Sequence, residues 1–285
     1  MNLNKNFTFV VILIAFIFSG CSEKEIQKNS LLLKITGNGV ESPSYIYGTI
    51  HIKDARVFDF SDSVLIALKS CSSFGMEVIT TEENKLKITQ NLQLPVGVSL
   101  LTIFSNDEYE QLGELLKLQT GHDIENFNNM SPLILISLIN SSIFKNEMNQ
   151  TLDEHLYQRA LENRKRTFGL ESVEEQIALI DKISYQDIFN EIIDIEKQKA
   201  LAMELLHAYI AADLEKFYKV MMKDKTMVIL KNEFLRIRNQ RILQRIIEEI
   251  HNEPTFFAIS AAHLGAGTGL IVLLKKEGYT VSPVL

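Results

Sequence analysis

The sequence is poor in cysteine, so its fold cannot depend on a disulfide framework. Cys21 and Cys71 are the two cysteines among 285 residues. Small secreted domains stapled by disulfides carry many more. Cys21 ends an apolar N-terminal stretch that we expect to lie outside the fold, which leaves Cys71 without a partner and predicts that it is buried. The core must therefore hold the chain together, and 46% hydrophobic residues are typical of a globular protein.

The sequence also lacks an excess of basic residues. It has 29 Lys and Arg against 36 Asp and Glu, for a formal net charge of −7. A nucleic-acid-binding protein usually carries a basic patch or stripe. The most charge-dense region, residues 231–249, mixes both signs and is typical of a solvated helix face. Nucleic acid is therefore not expected as a partner.

The N-terminal apolar run is too short to span a bilayer comfortably. Lys5 precedes the apolar residues 7–18, which predicts a signal peptide over residues 1–20. The sequence Phe18-Ser19-Gly20-Cys21 resembles a bacterial lipoprotein box, in which Cys21 becomes the lipidated first residue. We expect residues 21–30 to form a polar tether and the protein to be lipid-anchored outside the cytoplasm, in the outer membrane. An ordinary signal peptide or a membrane anchor is the alternative.

Two histidines follow predicted strands at opposite ends of the chain. Residues 45–50 alternate large apolar and aromatic side chains, which favours a strand that leads into His51. Residues 255–260 form a second apolar run, followed by a small-residue loop that contains His263. Ligands and catalytic groups of α/β folds commonly lie at the ends of strands.

Two acids accompany two further predicted strands. Glu77 lies inside the apolar run 73–79, and Glu171 ends the short run 166–171 next to a capping box. A buried acid is costly unless it is paired, hydrogen-bonded or bound to a metal. A solvent-facing Glu77 and a helix-capping Glu171 are the plain alternatives. If the four strands share one sheet, both acids and both histidines converge on one edge.

The rest of the chain has helical patterns. Apolar residues recur at intervals of three and four over parts of residues 101–160 and 185–250, and Ser131-Pro132 begins a short apolar helix that we expect to be buried. The predicted fold is α/β, or α+β, with a mixed central sheet flanked by helices. We expect residues 31–285 to form a single domain with a large helical portion in the middle.

Histidine together with carboxylate suits a divalent metal ion, and it also suits general acid–base activation of water. A cluster of guanidinium groups lies at residues 236–241 and contains Arg238 and Asn239. Such a cluster could clamp a carboxylate or a substrate. Surface salt bridges toward Glu248 and Glu249 are the alternative.

An ordered set of short motifs resembles the TraB/GumN family over about residues 31–284. The motifs are Tyr47-Gly48-Thr49-Ile50-His51, Gly75-Met76-Glu77, Gly169-Leu170-Glu171 with Gln176, Arg238-Asn239, Ala261-Ala262-His263-Leu264 followed by Gly269, and Gly278-Tyr279 with Val281. That family resembles a wider group of Tiki proteases, haem-uptake ChaN proteins and erythromycin esterases, which is marked by two Gly-x-x-His motifs and a glutamate. Here Ser260 replaces the glycine of the second motif, and Val78 and Ile79 replace the acid that follows the family's glutamate.

The resemblance implies metal-dependent peptide hydrolysis. His51, Glu77 and His263 would hold a divalent ion, with manganese, cobalt and zinc all open, and Glu77 or Glu171 would take a proton from water. Arg238, Asn239 and Ser260 would lie beside the peptide substrate. Erythromycin esterases offer the alternative that the histidines act as general bases without metal. A lipid-tethered protein that binds a peptide or a haem-like ligand without turnover, and a structural protein with a degenerate site, are the other hypotheses.

Overall fold

A computed structural model describes residues 29–79, 81–180, 183–224 and 235–285. The predicted signal peptide, Cys21 and most of the tether lie outside these residues. Residues 225–234, which fall within the region 185–250 where helical patterns were predicted, also lie outside the described residues. None of the described helices is long and apolar enough to cross a membrane.

The described chain forms one mixed six-stranded sheet. Its strands are β1 (Leu32–Thr36), β2 (Ser44–Thr49), β3 (Ser73–Met76), β4 (Arg166–Gly169), β5 (Thr255–Ser260) and β6 (Thr280–Pro283). Their order across the sheet is β4-β3-β5-β2-β1-β6. The neighbouring strands β4, β3, β5 and β2 are all parallel, whereas β1 is antiparallel to both β2 and β6. The predicted α/β fold with a mixed sheet is confirmed.

Twelve α-helices accompany this sheet within the described ranges. They are α1 (Asp62–Ser70), α2 (Glu82–Asn91), α3 (Leu100–Ile103), α4 (Asn106–Thr120), α5 (Leu133–Ser142), α6 (Leu152–Glu162), α7 (Val173–Ile180), α8 (Tyr185–Ile192), α9 (Ile195–Ile210), α10 (Leu214–Met221), α11 (Arg238–Asn252) and α12 (Leu270–Lys276). Short 3-10 turns cover Ala55–Phe58, Ile124–Phe127 and Ala261–His263. The large helical portion in the middle of the chain is as predicted.

Apolar side chains form separate clusters on the two faces of the sheet. Phe256 and Phe257 are successive residues of β5 and point to opposite faces, as side chains of a strand do. Phe256 belongs to the cluster packed against α1 and α6, and Phe257 to the cluster packed against α11 and α12. A third cluster joins α4, α5 and α8 away from the sheet. Both faces of the parallel strands are therefore covered, which explains why residues 256–259 of β5 are all apolar.

Two predicted strands are shorter than expected, and the predicted buried helix is only half-buried. β3 ends at Met76 and β4 at Gly169, so Glu77 follows its strand instead of lying inside it, and Glu171 lies two residues beyond its strand. Backbone bonds still tie the two segments together, since Glu171 N donates to Glu77 O at 2.7 Å. In α5, Leu135 and Ile139 are the described residues that are fully buried. The helix contributes one side to its cluster and leaves the rest partly exposed.

Gly48 in β2 lies where a neighbouring side chain leaves no room for a Cβ atom. A Cβ built there would be 2.8 Å from Cδ1 of Leu264, which is itself fully buried. We expect Gly48→Ala to lower the free energy of unfolding by about 1–3 kcal/mol through overpacking. Gly267→Ala is the matched control, because nothing lies within 4 Å of its Cβ position. Equal urea midpoints for the two variants would contradict this assignment.

Candidate active site at the carboxyl edge of the sheet

The parallel strands bring the predicted histidines and acids to one edge of the sheet. Thr49 at the end of β2 pairs with Ser260 at the end of β5, and Met76 at the end of β3 pairs with Gly169 at the end of β4. His51, Glu77, Glu171 and His263 each follow one of these strand ends by one to three residues. The predicted convergence on a single edge is therefore seen in the sheet.

Glu77 is held by groups on both of its oxygens. Its Oε1 accepts from the backbone N–H of Ser260 at 2.9 Å, and its Oε2 forms an ion pair with Nη2 of Arg238 at 2.9 Å. Both residues are buried, with Arg238 3% exposed and Glu77 8% exposed. Burial raises the pKa of Glu77, but neighbouring positive charge and the Ser260 N–H outweigh it and lower the pKa to about 2. Glu77 is therefore ionised at neutral pH.

Arg238 also clamps the second acid. Its Nε donates to Oε1 and Oε2 of Glu171 at 2.9 and 3.0 Å, and its Nη2 donates to Oε2 as well. The amide of Gln176 lies 3.5 Å from Oε2 of Glu77 and 3.4 Å from Oε2 of Glu171. Nη2 of Arg241 lies 3.8 Å from Oε1 of Glu171. The carboxylates that Arg238 clamps are thus the chain's own, and the side chain of one of them, Glu171, is fully buried.

His263 is fixed in one tautomer by Asn239. Nδ2 of Asn239 donates to the backbone oxygens of His263 and Thr268, so its Oδ1 is left to accept. That oxygen lies 2.6 Å from Nδ1 of His263, which must therefore carry the proton. Nε2 of the ring faces Oε1 of Glu77 at 3.9 Å. Burial lowers the pKa of His263 to about 4, so the imidazole is neutral at pH 7.

His51 forms an ion pair with Asp153, a residue that the sequence analysis did not single out. Its Nδ1 lies 2.8 Å from Oδ2 of Asp153, and the hydroxyl of Thr49 donates to Oδ1 of the same carboxylate. Asp153 is 2% exposed, whereas 54% of the His51 side chain is exposed. The charge of Asp153 raises the pKa of His51 to about 9. His51 is close enough for its charge to act on both Glu77 and His263.

Ser260 supports the site with its backbone and does not need to be glycine. Its φ of −51° and ψ of 135° are open to any L-residue, so the serine costs no backbone strain. Its N–H binds Glu77, and its side-chain oxygen accepts from Ala262 N at 3.4 Å. The departure from the Gly-x-x-His pattern is therefore compatible with the geometry of this edge.

A second ion pair braces the helix that follows Glu171. Glu175 is paired with Arg245, whose Nη1 also donates to the backbone oxygen of Leu170. The hydrogen bond from Arg245 is the largest cause that lowers the pKa of Glu175, to about 2. A carboxyl with a lowered folded-state pKa stabilises the fold above its unfolded value of 4.5, and this stabilisation is lost as the pH falls toward 2.

We therefore expect the free energy of unfolding to decline between about pH 4.5 and 2, and Glu175→Gln to remove part of that decline. Urea unfolding at a series of pH values measures it. Glu110→Gln, at an exposed position of α4, is the control and should leave the slope unchanged. A Glu175→Gln slope equal to that of the unmodified chain would contradict the role of this pair.

Sequence comparison now identifies the family. The profile described as the TraB/PrgY/gumN family matches residues 31–283. The chain belongs to this family. The match takes in all six strands and both Gly-x-x-His positions, so the resemblance drawn from the motifs is confirmed.

This TraB/PrgY/gumN protein is also similar to curated animal proteins. It is 26% identical to "Metalloprotease TIKI1" of Homo sapiens over 85% of this chain and 60% of that protein. It is 24% identical to "Metalloprotease TIKI1" of Danio rerio, over 92% of this chain and 65% of that protein. It is 23% identical to "Metalloprotease TIKI2" of Danio rerio, over 99% of this chain and 68% of that protein. The chain thus spans less than two thirds of the first two relatives, and no solved structure matches it.

The donor atoms of the TraB/PrgY/gumN site have the right chemistry for a divalent ion, although they are not assembled around one. Nε2 of His263 is the unprotonated ring nitrogen and Oε1 of Glu77 is an ionised oxygen. Asn239 and Asp153 orient the two imidazoles as outer partners of metal-binding histidines do. Within the part of the chain that is described, no group of three or more His, Cys, Asp or Glu side chains is gathered as a metal site. His51 would have to release its proton to complete one.

Proposed function

We propose that this protein is a hydrolase that activates water at the carboxyl edge of its sheet, and that it acts as a metal-dependent peptidase. The observation that carries the proposal is the buried, ionised Glu77, whose Oε1 faces the unprotonated Nε2 of His263 at 3.9 Å. A buried acid with a strongly shifted pKa and a specific charged partner is typical of functional sites. The curated relatives named metalloproteases support the peptidase class.

His51, Glu77 and His263 would hold the ion. A divalent ion bound there would lower the pKa of a water molecule toward neutrality and polarise a carbonyl group. Manganese, cobalt and zinc are all compatible with imidazole and carboxylate ligands. Arg238 keeps Glu77 ionised and in place, and Asn239 keeps the proton of His263 on Nδ1.

His51 lies on the solvent-exposed side of the site, with Asp153 buried behind it. The imidazole is half exposed and its Nδ1 faces the buried carboxylate, so Nε2 is the nitrogen that would bind the ion. As a ligand, His51 would give up its proton, and Asp153 would hold the ring in place. In the metal-free alternative the protonated His51 would instead hand a proton to a leaving amine, because Asp153 stabilises the charged ring. Glu171 is bound on both oxygens by Arg238, and it would act by positioning that guanidinium.

The experiment is a peptide-hydrolysis assay on the purified chain. A mixed peptide library is digested before chelation, after chelation and after separate addition of manganese, cobalt or zinc, and new peptide ends are identified by mass spectrometry. We expect cleavage that chelation abolishes and one of the ions restores. Cleavage that survives chelation would favour the metal-free mechanism with histidine as the base. No cleavage under any of these conditions would overturn the proposal that the protein is a hydrolase.

A second candidate function is ligand binding without turnover. It is favoured by the engagement of both Glu77 oxygens, by Ser260 N and Arg238, and by the absence of a gathered three-ligand group among the described residues. A peptide or haem-like ligand would then be captured at the same edge. Saturable binding with no new peptide ends under any metal would support this function over hydrolysis.

Asp153 should matter for turnover although it lies behind His51. We expect Asp153→Asn to lower turnover or metal affinity by about 10- to 100-fold, as loss of an outer partner of a ligating histidine typically does. Asp59→Asn is the control, because Asp59 is exposed. The ratio of kcat/KM values for the two variants is the measurement. Equal values would show that Asp153 serves packing alone.

We also propose that a lipid on Cys21 anchors the protein outside the bacterial cytoplasm, in the outer membrane. The lipoprotein-like sequence before Cys21 supports this. Cys21→Ser should abolish the incorporation of labelled palmitate into the chain. Incorporation equal to that of the unmodified chain would contradict lipidation at this residue.

A further inference from the structure

A large cavity lies beside the proposed active site. Its volume is about 700 Å³, within the range of small-molecule and peptide sites. Its walls come from the end of α2, the segment 92–95, the start of α5, the first half of α7 and the start of α8. Among the described residues that line it, none is charged and most are apolar, including Leu92, Leu94, Leu133 and Ile177.

Gln176 connects this cavity to the catalytic edge. Its side chain belongs to the cavity wall, and its amide lies 3.5 Å from Glu77 and 3.4 Å from Glu171. One residue therefore separates an uncharged, apolar chamber from the ionised Glu77. A molecule bound against Gln176 in the chamber would therefore lie one side chain away from Glu77.

The chemistry of the lining restricts what enters. A charged group placed among uncharged walls would lose its hydration without gaining a partner, which is costly. The polar side chains of the lining are amides and hydroxyls that both donate and accept, and they belong to Asn91, Gln93, Ser131, Gln176, Ser184 and Tyr185. Such groups can bind the N–H and C=O groups of a peptide, whereas the hydrocarbon part of a fatty acyl chain has no donors or acceptors to pair with them.

We propose that this cavity is the subsite that receives apolar side chains of a peptide substrate next to the bond that is cleaved. The proposal rests on the proposed peptidase function and adds to it a substrate class. Apolar side chains at this point would be buried against Leu92, Leu133 and Ile177, while the main chain runs past Gln176 toward Glu77.

Binding tests the subsite separately from catalysis. The probe is an N-acetylated, C-amidated peptide with a central Leu-Leu pair, and its match has Ser-Ser at the same positions. Affinities are measured by calorimetry on the metal-stripped full chain. We expect the Leu-Leu peptide to bind about 10- to 200-fold more tightly, which is what a lost apolar contact in a pocket typically costs. Ile177→Trp and Leu133→Trp fill the cavity and should each abolish this preference.

Leu118→Trp is the matched control, because Leu118 is 80% exposed on α4 and does not belong to the lining. Thermal melts identify any variant that fails to fold, and two cavity variants on different helices guard against that outcome. Loss of the preference in both folded cavity variants, with the control unchanged, supports the subsite. Equal affinities for the two peptides, or a preference that survives in both variants, would overturn it.

The hydrolysis assay distinguishes failure of the proposed peptidase function from failure of the proposed subsite. If Leu-Leu peptides bind in a cavity-dependent manner and are never cleaved, the peptidase function fails and the apolar binding site stands. If peptides are cleaved with no preference for apolar residues, and Ile177→Trp leaves kcat/KM unchanged, the subsite fails and the peptidase stands. Tight binding of dodecanoate without binding of the Leu-Leu peptide would overturn the peptide assignment.

Discussion

Replacing Arg238 with methionine is expected to lower the free energy of unfolding by about 3–5 kcal/mol. The guanidinium is 3% exposed and bonds to Glu77 and Glu171 at once, so its removal leaves two buried carboxylates without their main compensating charge. Such a loss exceeds the effect of most single substitutions. Urea unfolding followed by circular dichroism measures it.

Arg236→Met is the control for this experiment. Arg236 lies two positions earlier and is exposed, so its loss should change stability by no more than about 0.5 kcal/mol. Arg238→Lys should recover only part of the loss, because the native side chain uses both Nε and Nη2 and lysine has one ammonium group. A loss for Arg238→Met equal to that for Arg236→Met would show that the carboxylates do not depend on this guanidinium.

The largest expected effect on activity follows from Glu77. Within the proposed hydrolase, Glu77→Gln should lower kcat/KM for peptide cleavage by about 10²- to 10⁴-fold, the range that loss of a positioned acid–base group produces. The amide keeps the size of the side chain but removes the charge that faces His263 and pairs with Arg238. Steady-state cleavage of a peptide found in the library assay is the measurement.

A shorter acid separates the catalytic role of Glu77 from its structural role. Glu77→Asp retains the charge that Arg238 requires but withdraws the carboxylate from Nε2 of His263 by one methylene group. We expect it to melt close to the unmodified protein and still to lose most of its turnover. Glu82→Gln, at an exposed carboxylate, is the control. Full activity in Glu77→Asp and Glu77→Gln would remove Glu77 from the mechanism.

The convergence of the site could be predicted because it follows from strand direction. Apolar runs before His51 and His263 marked strands, and parallel strands place their carboxyl ends at one edge. The ends of β3 and β4 could not be fixed, because the apolar pattern continues through Val78 and Leu170 after the ladders stop. Glu77 was therefore placed inside a strand when it follows one.

The partners of the site residues were harder to predict than the residues themselves. Asp153 lies in the first turn of α6, where acids usually compensate the helix dipole, so the sequence gives no sign that it is buried behind His51. Arg238 was expected to clamp a carboxylate, but only the folded chain shows that Glu77 and Glu171 are the carboxylates. Such pairings join residues 67 to 161 positions apart and have no local signature.

The most direct test of the central claim is a cobalt(II) titration of the purified chain, followed by visible absorption. We expect one equivalent of bound ion with the absorption bands of a nitrogen- and oxygen-ligated site, and loss of those bands in both His51→Gln and His263→Gln. Loss in both would mean that histidines more than two hundred positions apart serve the same ion. Unchanged bands in either variant, or no binding by the unmodified chain, would contradict the proposed metal site.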